Sequence, residues 1–263
     1  MNALDQRHAH ACQWAREAGA LALDYFRQRD ALTIDSKGVQ DWVSEADRNV
    51  ESLIRSRLAE TYPDDGILGE EEGWQAGSSK GYWVIDPIDG TTNFLRGLPD
   101  WGVVIAYVEE GEVQIGVIYV PIQEQLYQAV RGRGAFCNDQ PLRLSQEPIE
   151  LSSVLIYMGF GRRTALPDYL ARIDYLYQCQ MDQRRLGSAA LCLVRTAEGL
   201  VDGFFEAQIN PWDVLAGLLI VEEAGGWHNY IGQPAATGTM RVLACAAPLQ
   251  EALTPLLHIG QPL

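Results

Sequence analysis

The chain has 263 residues, 47% hydrophobic and 21% charged, and its 35 acidic against 20 basic side chains give a formal net charge of −15. That length can bury roughly three quarters of the unfolded surface and suits one body with two lobes, while the acidic excess opposes nonspecific contact with nucleic acid or anionic lipid. The longest apolar stretch, around Val214–Val221, is too short for a bilayer, the N-terminus lacks a basic leader with an apolar core, and five cysteines occur without a CxxC pair, so a cytoplasmic protein with reduced thiols and no membrane partner is expected.

From about Leu4 to Gln28, Cys12, Ala15, Ala18, Leu21, Ala22 and Tyr25 recur at helical spacing and predict a long first helix. A short strand follows at Thr33–Asp35. Ser44 and Asp47 fit a capping box opening a helix to about Thr61, with Val50, Leu53, Ile54 and Leu58 on one face and Pro63 and Gly66 as the stop. The apolar run Gly66–Leu68 ends at Gly69, Glu70, Glu71 and Glu72, and the run from Trp83 ends at Asp86 and Asp89, which flank Pro87 and Ile88. Strands are then expected at Val103–Val108, Val113–Val120, Leu126–Val130 and Ala135–Leu144. Polar residues and Pro148 around Ser145–Ser152 suggest a boundary between an N-terminal metal-binding lobe, 1–147, and a C-terminal substrate-binding lobe, 148–263. Beyond it come a strand at Val154–Met158, helices at Pro167–Cys179, Ser188–Glu198, Pro211–Ala224 and Pro248–Leu257, and strands near Gln183, Gly203, Trp227 and Arg241. This alternation describes a layered αβ chain, too rich in hairpins for a doubly wound nucleotide-binding sheet.

Three acidic clusters sit at element ends: Glu70 to Glu72, Asp86 with Asp89, and Asp213. Pro87 holds Asp86 extended and Gly90 frees the next turn, so a sharp bend can aim two acids into one space. Gathered carboxylates repel unless a cation intervenes, and an all-oxygen set suits a hard divalent ion such as Mg²⁺. Asp213 has a second reading as a first-turn acid beside Asn210 and Pro211. Gly90, Thr91 and Thr92 stand where a helix start could turn N–H groups toward phosphate.

GEEEG (Gly69–Gly73), DPIDGTTNF (Asp86–Phe94), GSAA (Gly187–Ala190) and PWDVLAGLLIVEEAGG (Pro211–Gly226) resemble, in order and spacing, the inositol monophosphatase family across nearly the whole chain. The resemblance implies a multilayer α-β-α-β-α sandwich of the inositol monophosphatase and fructose-1,6-bisphosphatase type. It also implies a magnesium-dependent, lithium-sensitive phosphomonoesterase, with two or three Mg²⁺ ions, Mn²⁺ able to substitute, and a homodimeric state. By the same match Glu70 ligates metal and supports the attacking water, Asp86 bridges two metals, Ile88 offers its carbonyl, and Asp89 and Asp213 complete the second metal site. Thr91 with Asp47 would orient the water. Gly90, Thr91, Thr92, Gly187, Ser188, Ala189, Glu206 and Asp213 would contact substrate, and Lys37 matches a basic residue near the site. The implied substrate is a small polyol phosphate such as inositol 1-phosphate. The alternatives are fructose 1,6-bisphosphate, histidinol phosphate, NADP, 3′-phosphoadenosine 5′-phosphate, or a non-catalytic regulatory role. Thr92 and Asn93 favour the inositol branch, whereas Asn210 and the Gly159–Arg163 loop depart from the family pattern. Arg162, Arg163, Arg184 and Arg185 are candidates for a further anionic group.

Overall fold

Asn2 and Asp5 form a capping box that starts α1 (Ala3–Arg27), whose buried stripe is Ala11, Trp14, Ala15, Ala18 and Ala22. The computed structural model describes residues 2–29, 32, 34–38, 41–161, 164–230 and 238–260, with the side chains of 34–38 and 41–43 outside that description. β1 (Ile34–Gly38) and β2 (Asp41–Ser44) make an antiparallel ribbon that runs directly into α2 (Glu45–Thr61), capped by Ser44 and Asp47.

The next elements are β3 (Gly66–Gly69), β4 (Gly73–Gln75), β5 (Gly81–Asp89), α3 (Thr91–Arg96), β6 (Gly102–Glu109), β7 (Glu112–Val120), β8 (Gln125–Val130), β9 (Ala135–Cys137) and β10 (Gln140–Leu142). They form an eight-stranded sheet in the order β10-β9-β8-β7-β6-β5-β3-β4, antiparallel except where β3 runs parallel to β5. The single strand expected over 135–144 is a hairpin of two short strands, because Asn138 takes a left-handed turn at φ 53. Alternation along the central strands splits their side chains. Ile85, Ile105, Ile115 and Val117 pack under α1 and α2, while Val84, Val104, Ala106 and Ile118 point to the other face.

After that sheet come β11 (Leu155–Met158), α4 (Leu166–Gln178), β12 (Asp182–Arg184), α5 (Ala189–Ala197), β13 (Gly203–Ile209), α6 (Pro211–Glu223), β14 (Gly226–His228), β15 (Met240–Ala246), α7 (Gln250–Leu253) and α8 (Pro255–His258). The strands form a second sheet, β12-β11-β13-β15-β14. Its one face packs on α4, α7 and α8 through Ile156, Phe205, Leu243, Leu176, Leu253 and Leu256. Its other face, through Phe204, Val242 and Ala244, shares a core with α5, α6 and the larger sheet. The layers therefore run α-β-α-β-α, as the resemblance implied. The helix expected over Pro248–Leu257 is instead a short turn followed by α7 and α8, since Pro255 cannot donate to a continuous ladder.

α6 lies between the two sheets, which explains why Val214 to Val221 are buried all round rather than along one stripe. Each fully buried Leu there contributes roughly 1.5–3 kcal/mol of transfer free energy. β7 approaches so closely that a Cβ on Gly116 would lie 2.4 Å from the Ala216 carbonyl oxygen. Among the described residues no helix is long and apolar enough to cross a membrane, and all five cysteines are free thiols.

Candidate metal and substrate site

β5 pairs with β6 through Asp86, then the register shifts before Asp89, where Pro87 interrupts the ladder. Asp86 Oδ1 accepts the Ile88 N–H at 3.0 Å, closing a local turn that brings both carboxylates to the same end of the strand. Asp213 reaches them from the first turn of α6, where its carboxylate also accepts the Asn210 N–H at 3.0 Å, so its capping and clustering readings hold together. One carboxylate oxygen from each of Asp86, Asp89 and Asp213 lies within 4.8 Å of the others.

Burial and mutual repulsion govern this cluster. Burial first, then the charges of Glu70, Asp89 and Asp213, push the Asp86 carboxyl well above the usual range. Asp89 is raised to about 7, again first by burial and then by Asp213. The Ser188 hydroxyl donates to Asp89, as do the N–H groups of Ala190 at 2.8 Å and Ala189 at 3.4 Å, and these bonds oppose the rise. So α5 and α6 both begin at this one group of acids. A divalent cation with a preference for oxygen would relieve the repulsion, and the donor set fits one.

Glu70 stands at the end of β3, where its N–H donates to the Ile85 carbonyl at 3.2 Å, next to Asp86. The Thr91 hydroxyl donates to Asp47 at 3.4 Å and to the Ile88 carbonyl at 3.2 Å. Asp47 meanwhile accepts the Ser44 N–H and hydroxyl at 2.8 and 2.7 Å, so its cap role and its contact with Thr91 coexist. Gly90 has φ +95, and a Cβ there would meet the Asp100 carbonyl oxygen at 2.9 Å, so the turn into α3 requires glycine. Thr92 follows on the exposed side of that turn.

A cleft of about 250 Å³ meets the acids at Asp89 and Asp213. Gly187, Ser188, Ala189 and Glu206 line it, together with Gly159, Phe160 and Arg185. The Glu206 carboxylate rests against Gly159, where any Cβ would come within 1.9 Å of Oε2. Arg185 lies 5.7 Å above the Phe160 ring at the rim. Arg184 does not line the cleft and pairs instead with exposed Asp182 at 2.7 Å. Arg162 and Arg163, and the side chain of Lys37 on β1, lie outside the described residues.

Asn93 stands out in sequence only as a mark of the inositol branch, and Glu51 and Arg55 do not stand out at all, yet all three brace the site. The Asn93 amide donates to the Asp100 carbonyl at 2.7 Å and the Leu186 carbonyl at 3.0 Å, tying α3 to the loop before α5. Glu51 and Arg55 form a buried pair beneath the turn that carries Glu70. In sequence their i, i+4 spacing reads as an ordinary solvated pair.

The family model described as the inositol monophosphatase family matches residues 3–260. A Nus factor SuhB of Pasteurella multocida is 42% identical over 219 residues, 82% of each chain. An inositol-1-monophosphatase of Mesorhizobium japonicum is 40% identical over 218 residues, again 82% of each. The crystal structure of the extragenic suppressor protein suhB from Bartonella henselae matches with a TM-score of 0.86 and 35% identity, over 95% of this chain and 97% of that one.

Proposed function

The chain belongs to the inositol monophosphatase family, and from that membership we propose that it is a Mg²⁺-dependent phosphomonoesterase acting on a small polyol phosphate such as inositol 1-phosphate. The observation that carries this reading is the convergence of Asp86, Asp89 and Asp213 from two distant stretches of chain. In it, Glu70, Asp86, the Ile88 carbonyl, Asp89 and Asp213 hold two or three Mg²⁺ ions, with Mn²⁺ able to substitute. When bound, such ions polarise a phosphoryl oxygen and make water a nucleophile near neutral pH.

The chain's own residues orient and confine. Thr91, held by Asp47 and the Ile88 carbonyl, fixes one hydrogen-bond direction for the attacking water, and Glu70 accepts its proton. The turn at Gly90, Thr91 and Thr92 faces the phosphate, while Gly187, Ser188, Ala189 and Glu206 receive the polyol. Cys192 also lines the cleft, but burial holds its thiol far above the usual range, which disfavours a thiolate nucleophile. Residues 1–147 then act as the metal-binding lobe and 148–263 as the substrate-binding lobe, joined at Asp213. A cytoplasmic homodimer completes the proposal, and sedimentation measures the dimer.

A second reading, a regulatory protein, draws support from the Nus factor names of relatives about 40% identical. One experiment separates the two. Phosphate release is measured on inositol 1-phosphate, fructose 1,6-bisphosphate, histidinol phosphate, NADP and 3′-phosphoadenosine 5′-phosphate, with Mg²⁺ and then with EDTA. Release that is fastest on inositol 1-phosphate and abolished by EDTA is expected. No release from any ester in Mg²⁺ overturns the enzymatic reading.

A further inference from the structure

We propose that Glu51, paired with Arg55, is a positioning residue that holds Glu70 against Asp86, an inference that rests on the role given to Glu70 above. Glu51 is 0% exposed, and its carboxylate accepts the Arg55 Nε–H at 2.7 Å, the Glu71 N–H at 2.8 Å and the Glu72 N–H at 3.1 Å. Arg55 Nη2 donates in turn to the Gly73 carbonyl at 2.8 Å. One ion pair therefore grips the turn at Glu71, Glu72 and Gly73, the three residues directly after Glu70. On its other side Glu70 is fixed by its N–H to Ile85, the residue before Asp86.

Gly69 shows how closely the turn is pressed onto the pair. A Cβ there would lie 2.1 Å from Glu51 Oε1 and 2.7 Å from Arg55 Nη2. Asp47, Glu51 and Arg55 recur every four residues along one side of α2. The first meets Thr91, and the other two hold the Glu70 turn. A single rigid helix thus sets the spacing between the two groups assigned to the attacking water. A buried ion pair is a weak device for stability, and an apolar pair of similar volume serves a core equally well. Fixed hydrogen-bond directions at the backbone of a reacting turn are what an apolar pair cannot supply, and displacements near 1 Å cost up to about a hundredfold in rate.

The test compares Glu51→Gln with wild type. Gln keeps the volume but sets an NH₂ group against donors, loosening the turn without touching the cleft. The expected result is a fall in kcat of roughly tenfold or more with KM for the phosphate ester changed less than about twofold. Mn²⁺ binding without substrate, followed by electron paramagnetic resonance, is expected to weaken, and amide exchange at Glu71 and Glu72 to accelerate. Arg172→Met is the structural comparator, since buried Arg172 donates to the Leu256 carbonyl far from the acids; it should lower Tm while leaving kcat unchanged. Should Glu51→Gln not fold, Arg55→Lys keeps the charge, loses the contact to Gly73 and is expected to show a smaller change of the same pattern. A folded variant with kcat and Mn²⁺ affinity within about twofold of wild type overturns the proposal, as does an equal kcat loss in Arg172→Met. If wild type releases no phosphate, the enzymatic reading falls, while Mn²⁺ affinity and amide exchange still judge Glu51.

Discussion

Asp89→Asn should stabilise the cation-free protein at alkaline pH while abolishing turnover. In the native state the Asp89 carboxyl titrates at about 7, raised by burial and then by Asp213, against about 3.9 for an unfolded aspartate. The gap between those values corresponds to roughly 4 kcal/mol. Because the folded value is the higher one, the native protein binds more protons than the unfolded chain between about pH 4 and pH 7. Stability therefore falls as pH rises through that window, and the full cost is present above it. Asp86, displaced in the same direction, adds to the effect. Asparagine removes the charge and retains an acceptor for the Ala190 N–H. Thermal melts in EDTA at pH 8 should then place the variant about 2–4 kcal/mol above wild type, a Tm gain of roughly 4–16 °C at this size. At pH 4 the difference should nearly vanish. Added Mg²⁺ should raise the Tm of wild type more than that of the variant. A variant no more stable than wild type at pH 8, or equally stabilised by Mg²⁺, refutes the reasoning that these acids form a strained cation cage.

Thr91→Ala should lower kcat about a hundredfold at saturating Mg²⁺, and Thr91→Ser, which keeps the hydroxyl that meets Asp47 and Ile88, should stay within about tenfold of wild type; steady-state phosphate release measures both, and full activity in the alanine variant contradicts the assigned role. Gly116→Ala places a Cβ 2.4 Å from the Ala216 carbonyl oxygen and 3.0 Å from its Cα, both backbone atoms of a helix clamped on two sides. Overpacking of that kind costs about 3 kcal/mol, so calorimetry should find Tm lower by roughly 6–12 °C. An unchanged Tm refutes the close contact.

The elements most legible in sequence are those whose periodicity is local. The first helix was expected over Leu4–Gln28 and spans Ala3–Arg27, because a long apolar stripe needs no partner to be recognised. β4, three residues long, owes its existence to pairing with β3 and leaves almost no local signal. Pro87 and Gly90 announced the bend that gathers Asp86 and Asp89, and Asp213 stood out as an acid opening a strongly apolar helix. Glu51 and Arg55 were hidden for a physical reason: a charged pair one helical turn apart ordinarily faces solvent, and only the turn laid across it by β3 and β4 buries it. Arg184 and Arg185 are adjacent in sequence yet diverge, the first to Asp182 and the second to the cleft. No sequence pattern distinguishes them. Asn93 is similar, since its partner Leu186 lies 93 residues away.

The enclosure of α6 has a consequence for divergence among descendants of this scaffold. Asp213 in its first turn cannot shift without driving Gly217 into Leu193 and Ala216 into Gly116, so the helix acts as a keystone. On the proposed function, change in substrate preference falls instead on the rim at Phe160 and Arg185, since a side chain at Gly159 would run into Glu206. New tastes can evolve at the mouth while the charged floor is inherited intact.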